Sequence, residues 1–245
     1  WGVAYAGIKS SAEYPSNDLA LMELASGSQC AAVFTQNAFC AAPITVAKNK
    51  LASIAEQKNS SAIYLLINSG NANAGTGDEG YRAAELSCQL VAESINCDAQ
   101  QVLPFSTGVI GQSLPVEKIQ AVSDALNASL SIDSWSLAAE AIMTTDTVAK
   151  GFSRTMDVDG KRITVSGICK GAGMIRPNMA TMLAYVATDA ALDSEDLQSL
   201  LDHAVQCSFN RITVDGDTST NDACMLAATG ASSVTLSPSH KDWSA

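Results

Sequence analysis

Apolar residues recur along this chain with two periods that alternate. Short, β-rich apolar runs at 31–35, 62–67, 102–105, 163–169 and 182–188 have the length and composition of strands. Helical spacing lies between them. Leu86, Leu90 and Val91 share one face of the segment after Gly80. A second helix is predicted to start near Ser113, with Pro115 in its first turn and Val116, Ile119, Val122 and Leu126 facing inward. In a third, capped by Asp193 or Ser194, Leu197, Leu200, Leu201, Ala204 and Val205 follow the i, i+3, i+4, i+7, i+8 pattern. The pair Asp159-Gly160, between apolar pieces at 156–158 and 162–165, reads as a tight hairpin turn, so part of the sheet is antiparallel. The expected fold class is α/β (α+β), a mixed layered sandwich rather than a purely parallel doubly wound sheet.

Composition narrows the function classes. At 245 residues and 47% hydrophobic content, the chain buries enough for one large domain or two smaller ones. Ser, Thr, Asn or a charge interrupts every apolar run before the roughly 18 to 20 residues that a membrane span needs. Trp1 is not an initiator residue, which fits a processed or trimmed N-terminus. The net charge of −11, from 25 acids against 14 bases without long single-sign runs, argues against a nucleic-acid surface and for small-molecule partners. An anionic substrate would need local positive charge, and Lys170 and Arg176 supply it. Seven cysteines, at 30, 40, 88, 97, 169, 207 and 224, form no C-x-x-C and read as reduced packing residues of a cytoplasm-like compartment. With only His203 and His240, a His-based metal site or Ser-His-Asp triad is disfavoured, and His203 reads as a surface or cap residue of the third helix.

Four segments are too polar or too rich in small residues to be ordinary core. Asn68-Ser69-Gly70-Asn71-Ala72-Asn73-Ala74-Gly75-Thr76-Gly77 follows a strand and precedes a helix, where backbone N–H groups can turn toward an anion. It lacks a phosphate-loop lysine, so a plain Asn/Gly turn cluster is an equal reading. In Ser106-Thr107-Gly108-Val109-Ile110-Gly111, a Thr hydroxyl and a Gly N–H are adjacent donors on a loop, the chemistry of an oxyanion hole; a simple strand-to-helix turn is the alternative. The run 210–222 is dense in carboxylates and hydroxyls and reads as an active-site wall, a hydrogen-bonded turn or, without EF-hand spacing, a calcium loop. Finally, the basic, glycine-rich segment 170–176 bends through Pro177-Asn178 and delivers the hydroxyl of Thr181 to the entrance of an apolar strand, where a nucleophile can sit.

Taken in order, Phe34-Thr35-Gln36-Asn37, Asn68-Ser69-Gly70-Asn71-Ala72-Asn73-Ala74, Ser106-Thr107-Gly108-Val109-Ile110-Gly111, Thr144-Thr145-Asp146-Thr147, Lys170-Gly171-Ala172-Gly173-Met174-Ile175 with Pro177-Asn178-Met179-Ala180-Thr181-Met182-Leu183, and the run 210–222 resemble the ornithine acetyltransferase (glutamate N-acetyltransferase) family, also called the ArgJ family. The resemblance runs from about Ala6 to Gly230. It implies a self-processing fold of the ArgJ/DmpA-like type, made as one precursor and cut between Ala180 and Thr181 into an α chain (1–180) and a β chain (181–245).

It implies an enzyme of arginine biosynthesis that moves an acetyl group from N-acetylornithine to glutamate through an acetyl-threonine intermediate in ping-pong fashion. Some members also accept acetyl-CoA; no other cofactor and no metal is implied. Thr181 is the expected nucleophile, its freed α-amine, with an ordinary pKa of about 7.7 to 8.0, the general base. Thr107 and Gly108 are the expected oxyanion donors, and Thr144, Lys170 and Thr181 the expected substrate contacts. An α2β2 or larger assembly in the cytoplasm, or in an organellar matrix in a eukaryote, goes with the family. So does a C-terminal substrate-binding part that cannot be placed before Ala245, so the chain is expected to be C-terminally truncated, to lack a small C-terminal domain and to transfer weakly or not at all. Two other readings stand beside this one. A self-processing aminopeptidase of the DmpA type would carry Ser in place of Thr181; an inactive, truncated amino-acid-binding module would not react.

Overall fold

The computed structural model describes residues 1–9, 16–56, 61–175, 182–241 and 243. Its strands in chain order are β1 (Gly2–Ala4), β2 (Leu19–Leu24), β3 (Gln29–Phe34), β4 (Ile63–Asn71), β5 (Val102–Val109), β6 (Lys150–Val158), β7 (Lys161–Lys170), β8 (Leu183–Thr188) and β9 (Ala223–Ala228). The helices are α1 (Ala42–Glu56), α2 (Gly77–Ile95), α3 (Val116–Ala128), α4 (Trp135–Ala141) and α5 (Ser194–Cys207).

Two sheets result. The first runs β1-β2-β4-β5 and is antiparallel except for β4 and β5; the second runs β3-β9-β8-β7-β6 and is antiparallel except for β8 and β9. The mixed layered fold is therefore as expected. Period-two alternation sorts the strand residues between layers. Met22, Leu65, Ile67, Leu103 and Phe105 of the first sheet meet Ile168, Leu183, Tyr185 and Met225 of the second in a core between the sheets. Leu19, Leu21, Tyr64 and Leu66 face the other way, onto Cys88 and Val91 of α2 and Ile119 and Leu126 of α3. Ala184, Cys224 and Ala228 pack outward against Leu197, Leu201 and Val205 of α5. The order is α2 and α3, sheet, sheet, α5, with Ile44 and Ala47 of α1 and Ala138 and Ala139 of α4 packed into the core between the sheets. Phe105 and Tyr185 meet edge to face across the inner seam, with ring centroids 5.4 Å apart.

Local chemistry explains several elements. Asp159 and Gly160 both hold positive φ, 50° and 76°, the turn that joins β6 to β7 without splaying them. Asp193 caps α5 by accepting from the Asp196 N–H at 2.8 Å. Helix α2 begins at Gly77, earlier than the spacing implied, and buries Ala84, Ser87, Cys88, Val91 and Ala92. Leu86 is on its exposed side, because small residues rather than leucines face the sheet. Helix α3 begins at Val116, with Pro115 in the capping position. Residues 68–71 and 106–109 belong to strands rather than loops: β4 and β5 run on through them in parallel register, with a bulge at Asn71.

Candidate functional site

Lys170 ends β7, Leu183 opens β8 opposite it, and Ala223 opens β9 opposite Leu183, so three strand ends of one sheet lie level. The other sheet brings up Thr107 and Gly108 at the end of β5. Gly108 pairs with Gly70 at φ +136°, and a Cβ there would lie 2.3 Å from the Gly70 carbonyl carbon. Glycine is required at 108 by this approach, and at 70 by the backbone of Lys9, 2.7 Å from where a Cβ would lie.

Across the seam, the Lys170 ammonium donates to the Thr107 hydroxyl oxygen. Lys170 is only 6% exposed, and burial pushes its pKa down to about 8 against the upward pull of Asp146 and Asp222. Asn221 makes a second tie between the sheets, its Nδ2 donating to the Ala72 carbonyl at 2.6 Å and the Ser106 carbonyl at 2.9 Å. Asp222 accepts from the Met182 N–H at 2.7 Å and so fixes the entrance to β8.

On the near side, the side chain of Asp146 is buried. Burial pushes its carboxyl up, but contacts from Lys150, the Gly171 N–H at 2.8 Å and the Thr144 N–H at 3.4 Å outweigh that and hold it below the usual carboxylate range. Asp18, fully buried, accepts from the Ala6, Ile8 and Lys9 amides and thereby holds Lys9 at the opening.

These elements enclose a cavity of about 430 Å³ lined by Lys9, Gly70, Thr107, Gly108, Thr144, Lys170 and Ser219 to Asn221, among others. Among its described lining residues are two lysines and no carboxylate. A chain of net charge −11 thus keeps a cationic pocket, suited to a carboxylate or to a carbonyl oxygen that gains charge.

The structure brings together Thr107, Gly108, Thr144 and Lys170. Ala180 and Thr181, with Arg176, lie outside the described residues. Of the 68–77 segment, Gly70 and Ala72 line the cavity, while Asn68, Asn71 and Asn73 use side-chain N–H groups on the carbonyls of Asn71, of Gln112 and Ser113, and of Gly80. In the acidic run, Asp215 accepts from the Met174 and Ile175 amides, the latter at 2.8 Å, while Ser219 to Asn221 form a cavity wall. His203 is exposed on α5, and the seven cysteines are free thiols, Cys88 and Cys224 pushed up to about 12 by burial. Lys9 had no signal in the sequence. Asp146 had one, as a member of the Thr144-Thr145-Asp146-Thr147 motif.

The model of the ArgJ family matches residues 1–245. The chain belongs to the ArgJ family. This ArgJ-family chain is 53% identical over 229 residues to the arginine biosynthesis bifunctional protein ArgJ of Pseudomonas syringae pv. tomato, covering 94% of this chain and 54% of that protein. It is 54% identical over 235 residues to the protein of the same name in Methylococcus capsulatus, covering 96% and 55%. It therefore spans about half the length of the curated relatives it matches. Among solved structures it resembles an ArgJ crystal structure from Bacillus halodurans, with TM-score 0.61 and 32% identity over 74% of this chain and 89% of that one. It also resembles the ornithine acetyltransferase of Mycobacterium tuberculosis in complex with ornithine, with TM-score 0.55 and 28% identity over 72% and 90%.

Proposed function

We propose that this chain supplies the acetyl-transfer machinery of an ornithine acetyltransferase, moving acetyl from N-acetylornithine to glutamate in arginine biosynthesis. The observation that carries the reading is the cationic cavity where Thr107, Gly108, Thr144 and Lys170 converge, with Lys170 paired across the sheet to Leu183, two residues after Thr181 in the chain. Relatives named for arginine biosynthesis and a structural neighbour that holds ornithine support the substrate class.

The chemistry has two stages. In the first, the Thr181 hydroxyl attacks the Ala180 carbonyl, the peptide nitrogen leaves as an amine, and water hydrolyses the resulting ester, separating regions 1–180 and 181–245. In the second, Thr181 Oγ attacks the acetyl carbonyl while the new α-amine takes the hydroxyl proton; ornithine leaves with a proton on its nitrogen, and acetyl-Thr181 remains. The glutamate amine then attacks that ester and releases N-acetylglutamate. The Lys170 ammonium already donates to Thr107 Oγ, so the Thr107 O–H is left to donate to the oxyanion beside the Gly108 N–H. The positive charge of Lys170 favours the neutral amine of Thr181. The two fragments stay together because β8 and β9 lie between β3 and β7 in one sheet. Acetyl-CoA as a second donor, an α2β2 or larger assembly and a cytoplasmic or organellar-matrix setting belong to the same proposal; no described helix is long and apolar enough to cross a membrane.

Mass spectrometry of the purified protein tests it. Two fragments, beginning at Trp1 and Thr181, are expected, with Thr181→Ala remaining whole, and N-acetylornithine should add one acetyl group to the Thr181 fragment of the full-length protein. An uncut wild-type chain, or a cut one that never takes up acetyl, overturns the assignment.

A further inference from the structure

Thr144 and Lys170 approach the cavity from different elements, a turn and a strand end, yet one ion pair bonds the backbone of Thr144 and of Gly171, the residue after Lys170. Asp146 accepts from the Thr144 N–H through one carboxylate oxygen and from the Gly171 N–H through the other, to which Lys150 also donates. Lys150 in turn donates to the Gly171 carbonyl at 3.1 Å. Gly171, at φ +152°, is thus held by both its N–H and its carbonyl where the chain leaves β7, one residue after Lys170. The carboxylate side chain is 0% exposed, whereas Lys150 is 39% exposed.

We propose that Asp146 and Lys150 are a positioning pair that sets both the place and the charge of Lys170 and ties it to Thr144. The proposal deepens the acetyl-transfer reading and rests on it for the purpose of the site and for the binding arm of the test, but not for the Lys170 titration. Among the described residues, the charged groups acting on Lys170 are Asp146 and Asp222, which favour its ammonium, and Lys150, which disfavours it. Lys9 lines the same cavity. An ion pair with one buried and one partly exposed partner is poor evidence of a stabilising device, since burying the carboxylate offsets much of the attraction. Its geometry, bonded to the two elements that form the walls, points instead to orientation.

The opposite signs of the pair give a signature that a merely structural role does not. Lysine-selective 13Cε NMR of the purified chain, with the Lys170 signal assigned through Lys170→Arg, reports the Lys170 midpoint without substrate and without catalysis. Asp146→Asn should lower that midpoint by about one pH unit from its starting value near 8, and Lys150→Met should raise it. Asp146→Glu, which keeps the charge but lengthens the arm, should leave the midpoint near the wild-type value while weakening N-acetylornithine binding by about tenfold. Unchanged midpoints in both neutral variants overturn the proposal. So does a rise toward an ordinary lysine value in Asp146→Asn, which would mark the residue as scaffold whose loss opens the site. Loss of acetyl transfer in the wild type would sink the functional reading and leave this titration intact.

Discussion

Lys170 and Thr107 belong to different sheets, and the hydrogen bond from the lysine ammonium to the threonine hydroxyl is made across the seam between them. The threonine oxygen is therefore used as an acceptor, and in the proposed mechanism its proton is left for the oxyanion. Thr107→Val removes the hydroxyl with little change of volume. Acetyl transfer by the full-length protein should fall roughly a hundredfold to a thousandfold, the usual loss for one oxyanion donor, with the fold retained by circular dichroism. An effect below threefold would remove Thr107 from the reaction.

The depressed pKa of Lys170 has a stability signature. A lysine that titrates at about 8 when folded and at 10.5 when unfolded holds fewer protons in the folded state between those values. Stability conferred by this group therefore rises with pH in that window, because below pH 8 the folded protein must bury the charge. Measured by urea unfolding, the wild type should gain about 2 kcal/mol on Lys170→Met between pH 8 and pH 10. A flat difference would show that the lysine titrates normally.

Gly108→Ala and Gly27→Ala separate two costs of replacing glycine. Gly27 holds positive φ, 87°, in open space, whereas Gly108 adds a backbone clash at 2.3 Å. The first change should cost about 1 kcal/mol and the second about 3 kcal/mol or more. Melting temperatures compare them. Equal losses would mean that β4 and β5 separate without penalty.

Asn221→Ala strips the donor from the carbonyls of Ala72 and Ser106 at a buried position. A loss of about 2 to 4 kcal/mol is expected, from two buried acceptors left without a protein donor. Chemical denaturation reads it, and a loss under 0.5 kcal/mol would contradict the role given to this side chain.

Asp193→Ala should cost about 1 kcal/mol through the lost α5 cap. The Lys170 midpoint should stay in place, since α5 packs on the far face of its sheet. A shift of that midpoint would show that the outer helix sets the cavity.

Much of the fold was legible where pattern and propensity agree. The Asp159-Gly160 turn and the inward leucines of α5 follow from local chemistry alone. Other elements, β2, β9 and α1 among them, had no such agreement. Strand β2, Leu-Ala-Leu-Met-Glu-Leu, is written in helix formers, and β9, Ala-Cys-Met-Leu-Ala-Ala, is largely small residues; both are strands because neighbours pair with them on two sides. Helix α1 carries β-branched Ile44, Thr45 and Val46 and buries Lys50, which donates to the carbonyls of Ala99 and Val102, so its pattern is blurred. At the site, Thr107, Thr144 and Lys170 stand in motifs that a single chain can display. Lys9 does not, since its place is set by long-range contacts, Asp18 accepting from its amide and those of Ala6 and Ile8, and its ammonium donating to the Asn17 and Ala141 carbonyls.

The seam has a further meaning for how such a site can drift. A strand advances about 3.3 Å per residue, whereas a hydrogen bond tolerates only a few tenths of an ångström. Because the lysine and its hydroxyl ride on separate sheets, their spacing works as a vernier on the fit of the whole sandwich. Phe105 and Tyr185, which touch edge to face in that seam, are thus its adjusting screw, and repacking either ring should retune the reactive end with no change to any residue that lines it.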